Sequence, residues 1–191
     1  MPSRNPLNDS PTAFESATLP HLGAAYNLAR WLLRDEQHAH DAVQVAYLRA
    51  FRFFDGLRGD SARPWLLGIV RNACYDWMRQ NRPLADQLEF DEERDSGSAW
   101  AAGSNDPAAL WEQQARRGRV NAAIEALAPA FREVIVLREL EEMSYEEIAL
   151  VAGIPVGTVM SRLSRARALL RVSLHGEATH PASGRNRDAG T

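Results

Sequence analysis

From Pro83 to about Pro107 the chain reads PLADQLEFDEERDSGSAWAAGSNDP, a stretch that is acidic, rich in Gly and Ser, and without periodicity. Such a segment buries too little apolar surface to offset the entropy of ordering it, so it reads as a flexible linker and marks a domain boundary. As a coil it would span on the order of 25 to 30 Å, which lets the flanking domains reach well-separated sites. The remainder of the 191 residues, with 45% hydrophobic content over the whole chain, suffices for two small cores.

On the N-terminal side apolar residues recur at helical spacing from Leu22 to Arg82, and Pro and Gly are confined to breaks around Gly56 to Pro64. The spacing predicts helices over 22–34, 36–54 and 64–81, with Pro64 in a first turn that tolerates proline. On the C-terminal side helical periodicity runs from Ala108 to Arg171, broken at Ala128-Pro129, Glu141 to Ser144 and Ala152 to Pro155. The fold class is therefore all-α: one helical domain over 14–82, the acidic linker 83–107, a second helical domain over 108–172, and a tail 173–191 that reads as disordered. No run of about 18 apolar residues occurs, and the N-terminus lacks a hydrophobic segment behind its charge. The expectation is a cytoplasmic protein with no membrane insertion. Its single cysteine, Cys74, lies inside an apolar helical pattern and reads as a buried structural thiol.

The net charge of −3 conceals a segregation. Residues 48–82 hold seven arginines against three acids, residues 83–115 eight acids against one arginine, and residues 148–176 four arginines and no acid. All 22 cationic residues are arginine, which suits planar recognition of phosphate and base edges but equally follows from a GC-rich genome.

The segment SYEEIALVAGIPVGTVMSRLSRAR, Ser144 to Arg167, carries the most specific local pattern. Ser144 and Glu147 form a capping box, Gly153 stands where a helix ends in a left-handed residue, and a new helix begins at about Pro155. This is a helix-turn-helix. In its second helix Val159, Leu163, Ala166 and Leu170 make an apolar stripe, while Thr158, Ser161, Arg162 and Arg165 collect on a polar, basic face without acids. A helix entering the DNA major groove needs such a face, with arginine able to bridge guanine O6 and N7.

In the predicted helix 36–54, Ala39, Ala42, Val43, Ala46, Tyr47, Ala50, Phe51 and Phe54 make a core stripe. Asp41, Gln44, Val45, Leu48 and Arg52 make a second, mixed stripe of the kind that docks against a partner helix. Helix 64–81 sets a core side (Leu66, Ile69, Val70, Ala73, Trp77) against a strip of Arg71, Tyr75, Arg79 and Arg82 beside Asn72 and Asp76. Basic groups interleaved with an aromatic suit single-stranded DNA, although a solvated face shares the pattern. The loop Asp55 to Arg63, with two glycines, could hold a flipped base or be a plain connector.

No catalytic group, cofactor site or metal site is expected. His38 and His40 are two apart, so a helix points them to different faces, and no Cys/His set completes a ligand shell. A conventional DNA-binding regulator would share the helix-turn-helix but leaves the second stripe on 36–54 unexplained.

Taken together, residues 14 to 172 resemble the extracytoplasmic-function (ECF) subfamily of the sigma-70 family of RNA polymerase sigma factors. The stretch AHDAVQVAYLRA from Ala39 to Ala50 looks like the family's polymerase-binding helix. RPWLLGIVRNACYDWMR from Arg63 to Arg79 looks like its promoter-melting helix, and PVGTVMSRLSRAR from Pro155 to Arg167 is close to its recognition helix. The resemblance implies an alternative, non-enzymatic sigma factor whose partners are core RNA polymerase (β′ clamp and β flap), promoter DNA and an anti-sigma factor. It implies polymerase binding through Asp41, Gln44, Val45 and Leu48 in region 2, the N-terminal domain. It assigns minus-ten recognition to Arg63, Arg71, Asn72, Tyr75 and Arg79. In region 4, the C-terminal domain, it assigns minus-thirty-five recognition to Thr158, Ser161, Arg162 and Arg165. The acidic linker would run through the polymerase cleft, where Asp86, Glu89, Asp91, Glu92, Glu93 and Asp95 would imitate RNA phosphates or simply keep the linker soluble. Val45 and His40 stand where the family usually carries acids, and Ala62 where it commonly carries an aromatic.

Overall fold

A computed structural model describes residues 11–57, 62–81 and 107–176. The linker acids, Arg82, the glycine-bearing tip of the 55–63 loop and the tail beyond 176 lie outside the described residues. Eight α-helices are described: α1 (Pro11–Thr18), α2 (Leu22–Leu33), α3 (Glu36–Arg52), α4 (Ala62–Gln80), α5 (Pro107–Glu125), α6 (Pro129–Ile135), α7 (Tyr145–Ala152) and α8 (Val156–Gly176). Short 3-10 turns at Leu19–His21 and Phe54–Gly56 and a π turn at Val136–Leu140 complete the path. No strand occurs among the described residues.

Local chemistry sets the breaks. Arg34 takes a left-handed conformation (φ 59°) to end α2, and the Asp35 carboxylate then caps α3 by accepting from the His38 N–H at 2.8 Å. Pro129 occupies the first turn of α6, where its missing N–H costs nothing. The Ser144–Glu147 capping box is formed in both directions, and Gly153 ends α7 at φ 65°. The predicted helix-turn-helix stands as α7 and α8.

Three boundaries differ from the sequence reading. α1 was not foreseen, because its eight residues carry little apolar repeat; Phe14 anchors it by edge contacts to Phe51 and Phe54 at 5.3 Å and to Tyr47 at 6.2 Å. α3 ends at Arg52, before Phe54. α8 continues through Ser173 to Gly176, into what was expected to be a disordered tail, since no Gly or Pro follows Gly157 before residue 176.

α2, α3 and α4 pack on one another, as do α6, α7 and α8. The two groups then meet along α4 with α7 and α2 with α6, so one apolar cluster runs from Leu28, Leu67, Val70 and Cys74 into Leu137, Met143, Ile148 and Val151. Gly68 permits this approach: a Cβ there would stand 3.7 Å from the Val151 carbonyl oxygen. α4 is thus covered on two sides, against α2 and α3 and against the C-terminal helices. Cys74 is buried as expected, and burial pushes its thiol up to about 12.

Arg132 fastens the junction from inside. Its guanidinium donates to the carbonyls of Trp31 and Leu32 at the end of α2, and to those of Ile124, Glu125 and Leu127 around the end of α5. A cation placed on the exposed carbonyls of two helix ends satisfies both sets of orphan acceptors.

Candidate polymerase and nucleic-acid interfaces

The second stripe of α3 is open. Asp41, Gln44, Val45 and Leu48 are all exposed, Val45 at 42% and Leu48 at 62%. The core stripe beside it is buried at Ala39, Ala42, Val43, Ala46, Ala50 and Phe54 and partly buried at Tyr47. Phe51, assigned to that core, is instead 53% exposed, because α1 covers only one edge of its ring. Phe51 and Leu48, with Phe14, Glu15, Gln44 and Tyr47, line a shallow cleft of about 380 Å³. Phe51 is therefore a surface group that periodicity placed in the core, whereas Phe14, 9% exposed, lines the cleft from a buried position. Exposed apolar side chains clustered beside polar ones are the composition of a docking face.

The strip on α4 is not the outward face that its spacing suggested. Glu133 of α6, with no exposed surface, accepts from Arg71 Nε at 2.8 Å and from Tyr75 Oη at 2.9 Å. The Arg71 guanidinium lies 4.3 Å over the Tyr75 ring. Burial, and then the Glu133 charge, push the Tyr75 phenol well above its ordinary range. Arg63 donates through one Nη to both the carbonyl and the carboxylate of Glu141, at 2.8 and 2.7 Å, and Asn27 donates to the same carboxylate at 2.6 Å. Only Asn72 and Arg79 of the five assigned minus-ten residues are exposed, and Arg79 pairs with Asp76, which also holds Arg49 of α3 at 3.0 Å.

On α8, Val159, Leu163 and Ala166 are buried as the stripe requires, with Leu170 partly buried. Of the polar face, Ser161 and Arg165 are exposed and Thr158 is half-buried, its carbonyl accepting from Ser161 Oγ at 3.0 Å. Arg162 departs from the others: its Nη1 donates to Glu133 at 3.2 Å. Glu133 and Glu141 were not singled out from sequence, although both sit in the acid-rich run 124–147 that faces the arginine-rich α4.

His38 stacks near Trp77 and His40 near Tyr26, on separate faces as expected, and no group of three or more metal-ligating side chains occurs among the described residues. No single described helix is long and apolar enough to cross a membrane.

Two family models match: "Sigma-70 region 2" over residues 19–83 and "Sigma-70, region 4" over residues 117–170. Among curated proteins, the chain is 40% identical over 132 residues to the ECF RNA polymerase sigma-E factor of Escherichia coli, covering 66% of this chain and 69% of that one. It is 31% identical over 152 residues to the ECF RNA polymerase sigma factor SigE of Mycolicibacterium smegmatis, covering 79% of this chain and 57% of the relative. Among solved structures it is similar to the sigma factor RpoE in complex with the anti-sigma factor NepR from Bartonella quintana (TM-score 0.66, 29% identity, 85% of this chain and 96% of the other). It is also similar to CnrH in complex with the cytosolic domain of CnrY (TM-score 0.63, 27% identity, 90% and 93%).

Proposed function

The chain belongs to the ECF subfamily of the sigma-70 family, and on that premise we propose how its residues divide the work of an alternative sigma factor that directs promoter-specific initiation by RNA polymerase. The α3 face of Asp41, Gln44, Val45 and Leu48, extended by Phe51, docks on the β′ clamp. The observation that carries this is the continuous exposed apolar stripe, Val45, Leu48 and Phe51, on a helix whose opposite side is fully packed. Arg63, Arg71, Asn72, Tyr75 and Arg79 meet the melted minus-ten element, where stacking and phosphate contacts replace duplex pairing. Thr158, Ser161, Arg162 and Arg165 read the minus-thirty-five element in the major groove, and region 4 also contacts the β flap.

Holding two weak DNA-reading units on one polymerase makes the second contact intramolecular, which raises avidity by orders of magnitude without tight binding by either unit. Sigma factors are non-catalytic regulators, and this chain is not an enzyme; polymerase supplies the nucleotide chemistry. It works in the cytoplasm, where polymerase meets the promoter. An anti-sigma factor is a further partner, as in the Bartonella relative.

Run-off transcription with core RNA polymerase across a genomic fragment library, with and without the protein, tests this reading. New discrete start sites that weaken in Arg165→Ala and vanish in Leu48→Asp are expected. Specific DNA binding by the protein alone, with no polymerase-dependent initiation, would move the assignment to a conventional regulator.

A further inference from the structure

Glu133 touches both promoter-reading surfaces at once. Its Oε2 accepts from Arg71 Nε at 2.8 Å and Tyr75 Oη at 2.9 Å, on the minus-ten side. Its Oε1 accepts from Arg162 Nη1 at 3.2 Å, on the minus-thirty-five side, and from Arg71 Nη2 at 3.4 Å. The carboxylate has no exposed surface. At the rim of the same seam Glu141 holds Arg63 in the same manner, with the carboxylate 9% exposed.

Arg71 closes its fork on the buried carboxylate through Nε and Nη2 and so has spent donors that would otherwise meet a phosphate, while Arg162 commits one of its donors to the same group. DNA and the closed seam therefore compete for the same groups. We propose that Glu133, backed by Glu141, is an internal latch: its carboxylate takes the place of DNA phosphate on Arg71 and Arg162 and holds the free chain shut until the two halves part on polymerase. The proposal rests on the assignment of Arg71, Tyr75 and Arg162 to promoter contact. Because the three donors share one acceptor, the two surfaces are released together. A buried carboxylate stripped of one partner is strongly disfavoured, so a half-open state is not a resting place. Free protein then binds promoter DNA only through its open fraction, and its apparent affinity falls by that fraction.

The test uses the full chain in a Cys74→Ala background. Gly68→Cys places a Cβ 3.9 Å from the Val151 Cα, close enough for a bridge to Val151→Cys. Oxidation is expected to close this disulfide in the free protein and abolish run-off transcription with core polymerase, and reduction to restore it. Equal transcription by the oxidised and reduced forms would overturn the latch.

In a second arm, Glu133→Gln and, separately, Glu141→Gln are titrated without polymerase against a labelled promoter fork. About ten-fold tighter binding than the parent is expected of Glu133→Gln, with a smaller gain for Glu141→Gln; the rim variant keeps the test valid if the buried one fails to fold. Parental affinity in folded variants overturns the proposal. The double variant Arg71→Ala, Arg162→Ala separates the two levels. If it loses polymerase-dependent transcription while Glu133→Gln binds like the parent, the latch alone is wrong. If it transcribes normally, the promoter assignment fails and the latch with it.

Discussion

Gly68 on α4 lies against the backbone of Val151 on α7, with 3.7 Å between a Cβ at residue 68 and the Val151 carbonyl oxygen. That distance is ordinary van der Waals contact, so one methyl fits, whereas a bulky branched side chain drives the helices apart. Gly68→Ala is expected to stabilise the chain by about 0.5–1 kcal/mol through the entropy of the unfolded state. Gly68→Leu is expected to cost about 1–3 kcal/mol by overpacking. Urea midpoints of the two variants check this, and an unshifted midpoint for Gly68→Leu would mean that the two halves do not pack in solution.

Arg132 is the internal fastener of the junction. Removing it in Arg132→Ala leaves carbonyls of Trp31, Glu125 and Leu127 without their donor in a dry site. A loss of about 3 kcal/mol or more in unfolding free energy is expected. Arg132→Lys recovers only part of it, because a single ammonium cannot span both helix ends as the guanidinium fork does. Thermal melts of the two variants rank them, and equal melting would refute the two-ended role.

Cys74 gives a pH-dependent prediction. Its thiol is raised from 9.0 to about 12 by burial. A folded-state value above the unfolded one means that the contribution is fully present below about 9 and is lost as pH rises from there toward 12, where only the unfolded chain can ionise the thiol. Native protein at pH 8 is therefore expected to resist iodoacetamide except through opening, and Cys74→Ala is expected to reduce the alkaline loss of stability. Fast alkylation of folded protein would contradict the burial.

Ser144 closes the capping box at the start of α7. Ser144→Ala is expected to cost about 1 kcal/mol and Ser144→Thr distinctly less. Since α7 packs on α8, the helix proposed to read the minus-thirty-five element, the Ala variant should also lose minus-thirty-five-dependent transcription at a lower temperature than the parent, measured by run-off at increasing temperature.

Leu48, 62% exposed, contributes little to folding. Leu48→Asp is expected to leave stability within about 0.5 kcal/mol of the parent. It should weaken core polymerase binding at least about ten-fold, as loss of an apolar anchor does. Fluorescence titration with labelled polymerase reads this directly, and unchanged affinity would remove α3 from the clamp interface.

Much was legible in the residues because local chemistry decides it. The capping box at Ser144 and Glu147, the left-handed Gly153, Pro64 in the first turn of α4 and the apolar spacing of α3 each act over a few residues, and short-range forces settle them before any distant contact forms. The exposed stripe of Asp41, Gln44, Val45 and Leu48 followed in the same way, as the face left over once the core face was assigned. What sequence could not decide was what covers a face. The strip of Arg71 and Tyr75 has the spacing of a solvent-facing surface, yet it lies under Glu133, which is 62 and 58 residues away along the chain. Phe51 has the spacing of a core residue, yet it is half exposed because α1 reaches only one edge of it. Periodicity fixes the direction in which a side chain leaves its helix. Only the packing of helices distant in sequence determines whether water, an opposite charge or another apolar group meets it there.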